Sequence, residues 1–254
     1  MKFIRQLKAH LANRKLALSE VGGSQFAIRD AYDRWAASYP PTAHNPVMRV
    51  EQAAMVVLLP DVRGARALDL ACGTGRYANV LRERGAASVV ALDFSAEMLA
   101  RASFDGLRMQ PICATMMQLP LAAESFDVIV SGLAVGHADD LRAWMRETAR
   151  VLRRGGTLLY SDFHPAAANV GLKRSFRTDD GRTITVPHHT FTLDDHRNAA
   201  RAAGLTIEAL HELRVGVELT EAFDGSTEFY RRRHGTPIVL AAKLIKESGT
   251  QVYK

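Results

Sequence analysis

The chain has 254 residues, 47% hydrophobic and 24% charged, with a formal net charge of +6. That balance suits one soluble globular domain with a sizeable core, and no apolar run approaches the roughly 20 residues needed to span a bilayer. The two cysteines, Cys72 and Cys113, do not form a disulfide framework or metal-ligand spacing, which predicts a reducing, cytoplasmic setting and no metal.

Residues 2 to 18 carry Lys2, Arg5, Lys8, Arg14 and Lys15, with Ile4, Leu7, Leu11 and Leu18 at helical spacing. This predicts an amphipathic helix packed on the domain, with Val21-Gly22-Gly23-Ser24 as its stop and hinge. A secretory h-region is missing. Residues 25 to 37 read as a helix ended by Tyr39-Pro40-Pro41. Asn45-Pro46 reads as an N-cap and first-turn proline for a helix to about Leu58.

Strands and helices then alternate. Predicted strands cover about 66–71, 88–93, 107–113, 126–132 and 157–162. Helices lie between them, one from Gly75 to Arg84, one capped by Ser95, and one from Asp139 to about Arg153 that stops at Gly155-Gly156. Asp179-Asp180-Gly181 between two short extended runs signals a hairpin, so residues 166 to 191 read as a cap inserted over the site. Thr192 and Asp195 resemble a capping box for a helix ending at Gly204. Two further extended runs, 205–214 and 237–246, complete the chain. The expected architecture is α/β: a doubly wound, mostly parallel, seven-stranded sheet. Residues 1–60 would form N-terminal helices and a lid, and 61–254 the main domain, within one structural domain overall.

The densest signal is Leu68-Asp69-Leu70-Ala71-Cys72-Gly73-Thr74-Gly75, followed by an apolar run ending at Asp93. It reads as a buried strand, a glycine turn, a helix start, and a second strand closed by a carboxylate. Gly73 and Gly75 carry no Cβ, so the backbone can turn tightly against a ligand. A carboxylate at the end of the second strand suits ribose hydroxyls. Dinucleotides prefer a third glycine, and Ala78 stands in its place.

Further along are Ala31-Tyr32-Asp33-Arg34-Trp35-Ala36-Ala37-Ser38-Tyr39, Leu119-Pro120-Leu121 before Ser125-Phe126-Asp127, Leu133-Ala134-Val135-Gly136-His137, and Arg150 to Gly156. Together these stretches resemble class I S-adenosylmethionine-dependent methyltransferases of the small-molecule branch. The likeness is to the ubiquinone/menaquinone type and to enzymes that methylate malonyl-acyl carrier protein. It runs from about Ala31 to Pro165. It is specific for cofactor and fold, and far less so for the methyl acceptor.

The resemblance implies S-adenosylmethionine as cofactor and gives roles to single positions. Ala71, Gly73 and Gly75 would pass close to it, with Asp69 at its amino-acid end and Asp93 at the ribose. Phe94 and Met98 would wall the adenine. Ala114, Thr115 and Met116 lie where the family reads the adenine edge, and Ala114 stands where an acidic residue is expected. Tyr32, Tyr39 and Arg49 match a lid, with Tyr39 also a cofactor-binding position.

Methyl transfer from a sulfonium is an in-line displacement in which alignment and exclusion of water carry much of the rate. A hydroxyl or protonated amine acceptor would also need a base, and histidine suits that near neutral pH. His137 and His164 follow predicted strands four and five, and His188 and His189 close the hairpin, so all four are candidates. Asp162 is a candidate to orient one of them or to bind a cation. Lys173, Arg174, Arg177 and Arg182 on the hairpin, and Arg231-Arg232-Arg233, suit an anionic small-molecule substrate or an acidic carrier protein. The sequence carries no Asn/Asp-Pro-Pro-aromatic motif and no aromatic-studded basic stripe for nucleic acid. The leading expectation is methylation of a small molecule on O or N. Esterification of a carrier-bound carboxylate and non-catalytic cofactor binding are the alternatives.

Overall fold

The computed structural model describes residues 23–103, 109–177, 181–216, 228 and 231–248. The amphipathic segment 2–18, the hairpin tip 178–180 and the start of the third predicted strand therefore lie outside the described residues. Helices are α1 (Gly23–Trp35), α2 (Pro46–Leu58), α3 (Arg76–Glu83), α4 (Ala96–Arg101), α5 (Leu141–Val151), α6 (Pro165–Asn169) and α7 (Leu193–Ala202). Strands are β1 (Arg66–Leu70), β2 (Ser88–Asp93), β3 (Met109–Cys113), β4 (Phe126–Ser131), β5 (Leu152–Phe163), β6 (Ser175–Arg177), β7 (Thr183–Thr185), β8 (Leu205–Arg214) and β9 (Pro237–Lys246).

Seven strands form one sheet in the order β3-β2-β1-β4-β5-β9-β8. β1 to β5 run parallel, and β9 pairs antiparallel with both β5 and β8. The expected mostly parallel sheet is thus present. β1 is buried from Ala67 to Leu70 without alternation, as a central strand covered on both faces must be. One face packs on Trp144 and Met145 of α5 and Ala199 and Ala200 of α7. The other packs on Met55 of α2, Tyr77, Ala78 and Leu81 of α3, and Leu99 of α4.

The caps read from the sequence are made. The Asn45 side chain accepts from Met48 N, Ser95 from Met98 N, and Thr192 and Asp195 close a capping box. Each such cap contributes about 1 kcal/mol.

Two boundaries differ from expectation. α1 is described from Gly23, so Gly23 and Ser24 are helical and not a hinge. The helix expected to stop at Gly155-Gly156 ends at Val151, and both glycines lie inside β5. Register between β4 and β5 jumps from Phe126↔Leu152 to Val128↔Thr157, so the glycines form a bulge. Gly155 has φ +73°, and a Cβ on Gly156 would lie 2.8 Å from Arg153 O.

β6 and β7 form the separate two-stranded hairpin. With α1 they make a roof. Trp35 stacks on Phe176 with ring centroids 4.7 Å apart and planes 7° apart, inside a cluster with Ile28, Ala31 and Val186. The roof lies over the point where strand order reverses, between β1 and β4, which is where open α/β sheets bind ligands.

Candidate active site

Under the roof, at the C-terminal ends of β1, β2 and β4, is a pocket. Its walls include Tyr39, Asp69, Ala71, Gly73, Asp93, Phe94, Met98, Ala114, Thr115, Met116 and His137. Those are ten of the eleven expected cofactor positions, all but Gly75, together with one of the four histidines. Gly75 lies behind the wall with φ +86°, as the N-cap of α3. Ala71 and Leu133, also on the wall, have φ of +59° and +54°. Side chains rarely adopt that conformation, and such strain concentrates at functional sites.

The two carboxylates hold the floor. Asp93 Oδ2 accepts from Gly73 N at 2.8 Å and Oδ1 from Ser95 N at 2.9 Å. These bonds tie the glycine turn to β2. Burial raises Asp93 to about 6 against those N–H bonds. Asp69 Oδ2 accepts from Ala78 N at 2.7 Å, and burial raises it to about 7. Each oxygen has a second lone pair, so both carboxylates keep capacity for a ligand.

A buried network underneath fixes the turn at Leu133. Arg76 Nη1 donates to Glu51 Oε2 at 2.7 Å. Tyr77 OH and Ser161 OH donate to Glu51 Oε1 at 2.7 and 2.6 Å. Leu133 N donates to Ser161 Oγ at 2.8 Å. Gly132 must be glycine here, because a Cβ would lie 2.3 Å from Tyr77 Cε2 and the ring is held by its hydroxyl. Gly132→Ala is expected to lower stability by about 1–3 kcal/mol, as overpacking does. A melting temperature equal to that of the parent protein would contradict this.

At the roof, Arg174 Nη1 donates to Tyr32 OH at 3.0 Å and Nη2 to Leu133 O at 2.5 Å. Its guanidinium lies 4.8 Å from the Phe163 ring centroid. Tyr32 OH lies 2.8 Å from His137 Nε2, and His137 Nδ1 lies 3.1 Å from Pro187 O. A proline carbonyl only accepts, so Nδ1 carries the proton. Burial, and then Arg174, push the imidazole well below its usual range, so it is neutral and Nε2 accepts from Tyr32. Asp162 Oδ1 accepts from Gly136 N at 3.1 Å and Phe163 N at 2.8 Å. It therefore holds the 3-10 turn that carries His137 and makes no direct bond to a histidine among the described contacts.

The other histidines lie off the pocket wall. His164 caps α6 by accepting from Ala166 N, and its Nε2 is 2.9 Å from Glu212. His188 packs on Phe163 with ring centroids 5.7 Å apart. His189 pairs with Asp139 at 3.7 Å at the surface. Sequence position alone had brought all four together, because strand ends and hairpin ends converge in this fold. Side-chain direction separates them. Arg49 is exposed on α2 and absent from the wall. Lys173 and Arg174 line the pocket, whereas Arg177 and Arg182 are exposed. Arg231 and Arg232 pair with Glu228, and Arg233 donates to Val170 O.

Comparison with known proteins agrees with this geometry. Residues 68–160 match the family described as "Methyltransferase domain". The chain is 37% identical over 135 residues to the malonyl-[acyl-carrier protein] O-methyltransferase of Enterobacter lignolyticus, which covers 53% of each protein. The chain belongs to the class I S-adenosylmethionine-dependent methyltransferases. It is also 29% identical over 227 residues to the malonyl-[acyl-carrier protein] O-methyltransferase of Pseudescherichia vulneris, with 84% of each covered. Several of these matches span only about half to two thirds of the curated relatives' own length. A solved S-adenosylmethionine-dependent methyltransferase from Mesorhizobium loti superposes with a TM-score of 0.62 at 26% identity, over 77% of this chain and 97% of that one. Among the described residues of this methyltransferase, no helix is long and apolar enough to cross a membrane, and no group of three His, Cys, Asp or Glu could hold a metal.

Proposed function

We propose that this methyltransferase transfers a methyl group from S-adenosylmethionine to a carboxylate of a small acceptor, free or borne on an acyl carrier protein. One observation carries the acceptor reading. Arg174, on the pocket wall, spends its two terminal nitrogens on neutral oxygens, and its buried Nε has no partner among the described residues. A buried donor on a cation, left without an acceptor, fits an anion supplied by the ligand.

The residues suit the cofactor. Its amino-acid end carries a cation, for which Asp69 is the buried acid, and its ribose hydroxyls suit the remaining lone pairs of Asp93. Phe94, Met98 and Met116 give the base an apolar slot. S-adenosylmethionine supplies a methyl group already activated on a sulfonium.

The chain's own residues then bind and orient the acceptor. Arg174 would hold one carboxylate oxygen through Nε, with Tyr32 accepting from its Nη1, leaving the other oxygen to attack. His137, neutral and engaged with Tyr32, positions that phenol. A carboxylate has no proton to give up, so no base is required. Protonating His137 beside Arg174 would be unfavourable, which argues against base-assisted methylation of a phenol or amine. The roof of α1 and the hairpin covers the pocket and would limit the access of water. Alignment of this kind contributes up to roughly 7–11 kcal/mol in favourable systems. The matching names of the relatives support a carrier-bound acceptor, and Lys173 at the rim suits an acidic carrier.

Transfer of labelled methyl from S-adenosylmethionine to malonyl-acyl carrier protein and to free dicarboxylates, beside phenols and amines, tests this. A base-labile product confined to carboxylates is expected. A base-stable product on phenols or amines would overturn it.

The pH dependence of binding follows from Asp93, whose folded value of about 6 stands above its ordinary 3.8. Without ligand, its contribution to folding is present below about pH 4 and is lost as pH rises through 6. Ligand binding runs the other way, because the carboxylate must shed its proton to accept from the ribose. Affinity for S-adenosylhomocysteine is expected to fall by up to about tenfold per unit as pH drops from 6 to 4. Calorimetric titration across that range checks it, and a flat profile would contradict the role of Asp93.

A further inference from the structure

Arg174 meets the pocket wall at an apolar cluster. Its guanidinium lies over the Phe163 ring, and it donates to the carbonyl of Leu133. Phe163 and Leu133 pack with Val47, Met48 and Leu172 in one hydrophobic cluster, and all five line the pocket. Charge is scarce around them. The acids of the wall are Asp69 and Asp93, each engaged by backbone N–H groups at the floor. Its cations are Arg76, Lys173 and Arg174. Arg76 is ion-paired with the buried Glu51 at 2.7 Å, and Lys173 is exposed. Of the neutral polar side chains, Asn45 caps α2 by accepting from Met48 N, and Thr74 donates to Pro40 O. The space beside Arg174 is thus bordered by carbon and by one cation whose Nε has no partner among the described residues.

We propose that the acceptor is a monocarboxylate on an apolar body: its one charge pairs with Arg174, and an alkyl or aryl group lies against Val47, Met48, Leu133, Phe163 and Leu172. The inference deepens the carboxylate reading and rests on it. Burying the apolar surface of that body favours binding in proportion to its area. A second carboxylate on the same body would leave water for a wall of carbon, which is costly. A carrier-borne acid meets the condition when its link to the carrier is a neutral thioester. In the reaction an oxygen of the acid bonds the methyl carbon while the carbon–sulfur bond breaks and its electron pair passes to sulfur. The products are a neutral ester and a thioether, and no proton moves.

The test is calorimetric titration of the full chain, saturated with S-adenosylhomocysteine, with acetate, butyrate, hexanoate and adipate. Affinity is expected to rise about three- to fourfold per methylene from acetate to hexanoate. Adipate is expected to bind at least about thirtyfold more weakly than hexanoate. Leu172→Lys adds a cation to the apolar wall and should narrow the gap between hexanoate and adipate by about tenfold or more, whereas Leu172→Met should leave it unchanged. Equal affinity for hexanoate and adipate in the parent protein, no gain with chain length, or no binding of any of the acids would overturn the proposal. These parent measurements stand even where a variant fails to fold. Hexanamide, which keeps the body without the charge, tests the underlying reading. Affinity equal to that of hexanoate would refute the carboxylate reading and leave the apolar wall in place, so the two failures are distinct.

Discussion

Arg174→Gln is expected to lower kcat/KM for a carboxylate acceptor by roughly two to three orders of magnitude, with most of the loss in KM. The side chain bridges the roof and the floor: one nitrogen bonds Tyr32 of α1 and the other the carbonyl of Leu133. It lines the pocket, and its Nε has no partner among the described residues. Removing one partner of a buried charge-assisted pair costs about 2–4 kcal/mol, which sets the magnitude. The split follows from the chemistry. A carboxylate loses charge as it becomes an ester, so a cation beside it favours the bound acceptor at least as much as the transition state, and an interaction of that kind appears in KM. Arg174→Lys keeps the charge without the planar fork and should recover part of the loss. S-adenosylhomocysteine affinity serves as the check that the pocket persists. A fall confined to kcat with KM unchanged would contradict the binding role.

Asp93→Ala is expected to weaken S-adenosylhomocysteine binding by about 10- to 150-fold, the 1.5–3 kcal/mol of a hydrogen bond to a charged group. This carboxylate joins β2 to the glycine turn through Gly73 N and to the start of α4 through Ser95 N. Alanine removes the ribose acceptor and leaves two N–H groups without their partner. Part of the effect should therefore register as lower stability in the absence of ligand. Asp93→Asn keeps one carbonyl acceptor and should fall between the two proteins in both respects. Affinity equal to that of the parent protein in Asp93→Ala would place the ribose elsewhere.

The sheet was legible in the sequence because parallel strands buried on both faces read as continuous apolar runs, and β1 and β2 are such runs. The floor of the pocket was equally legible. Gly73, Asp69 and Asp93 are fixed by strand ends and a tight turn, which are local features. The roof was legible as elements but not as contacts. Tyr32 and Arg174 are 142 positions apart, and the packing of α1 on the hairpin, with Trp35 on Phe176, brings them together. Histidine was over-read for the same reason. His137, His164, His188 and His189 all come near one end of the sheet, but a helix cap, a surface pair and a ring contact take three of them off the wall.

Glu51 was missed altogether. A lone glutamate in an apolar helix reads as a solvent-facing residue, yet it is fully buried and accepts from Arg76, Tyr77 and Ser161. One signal could have found it: Arg76 follows directly on the glycine turn, and a cation placed there under a lid needs a counter-charge. The glycine pair at 155–156 misled for a physical reason as well, since the freedom that ends a helix also permits a bulge inside a strand.

The account rests on the pocket between β1 and β4 holding a sulfonium nucleoside. Calorimetric titration of the full chain with S-adenosylmethionine and S-adenosylhomocysteine tests that most directly. Saturable one-to-one binding of both at micromolar concentration is the expected result. Absence of binding by both, in a chain whose melting curve shows it folded, would contradict the account.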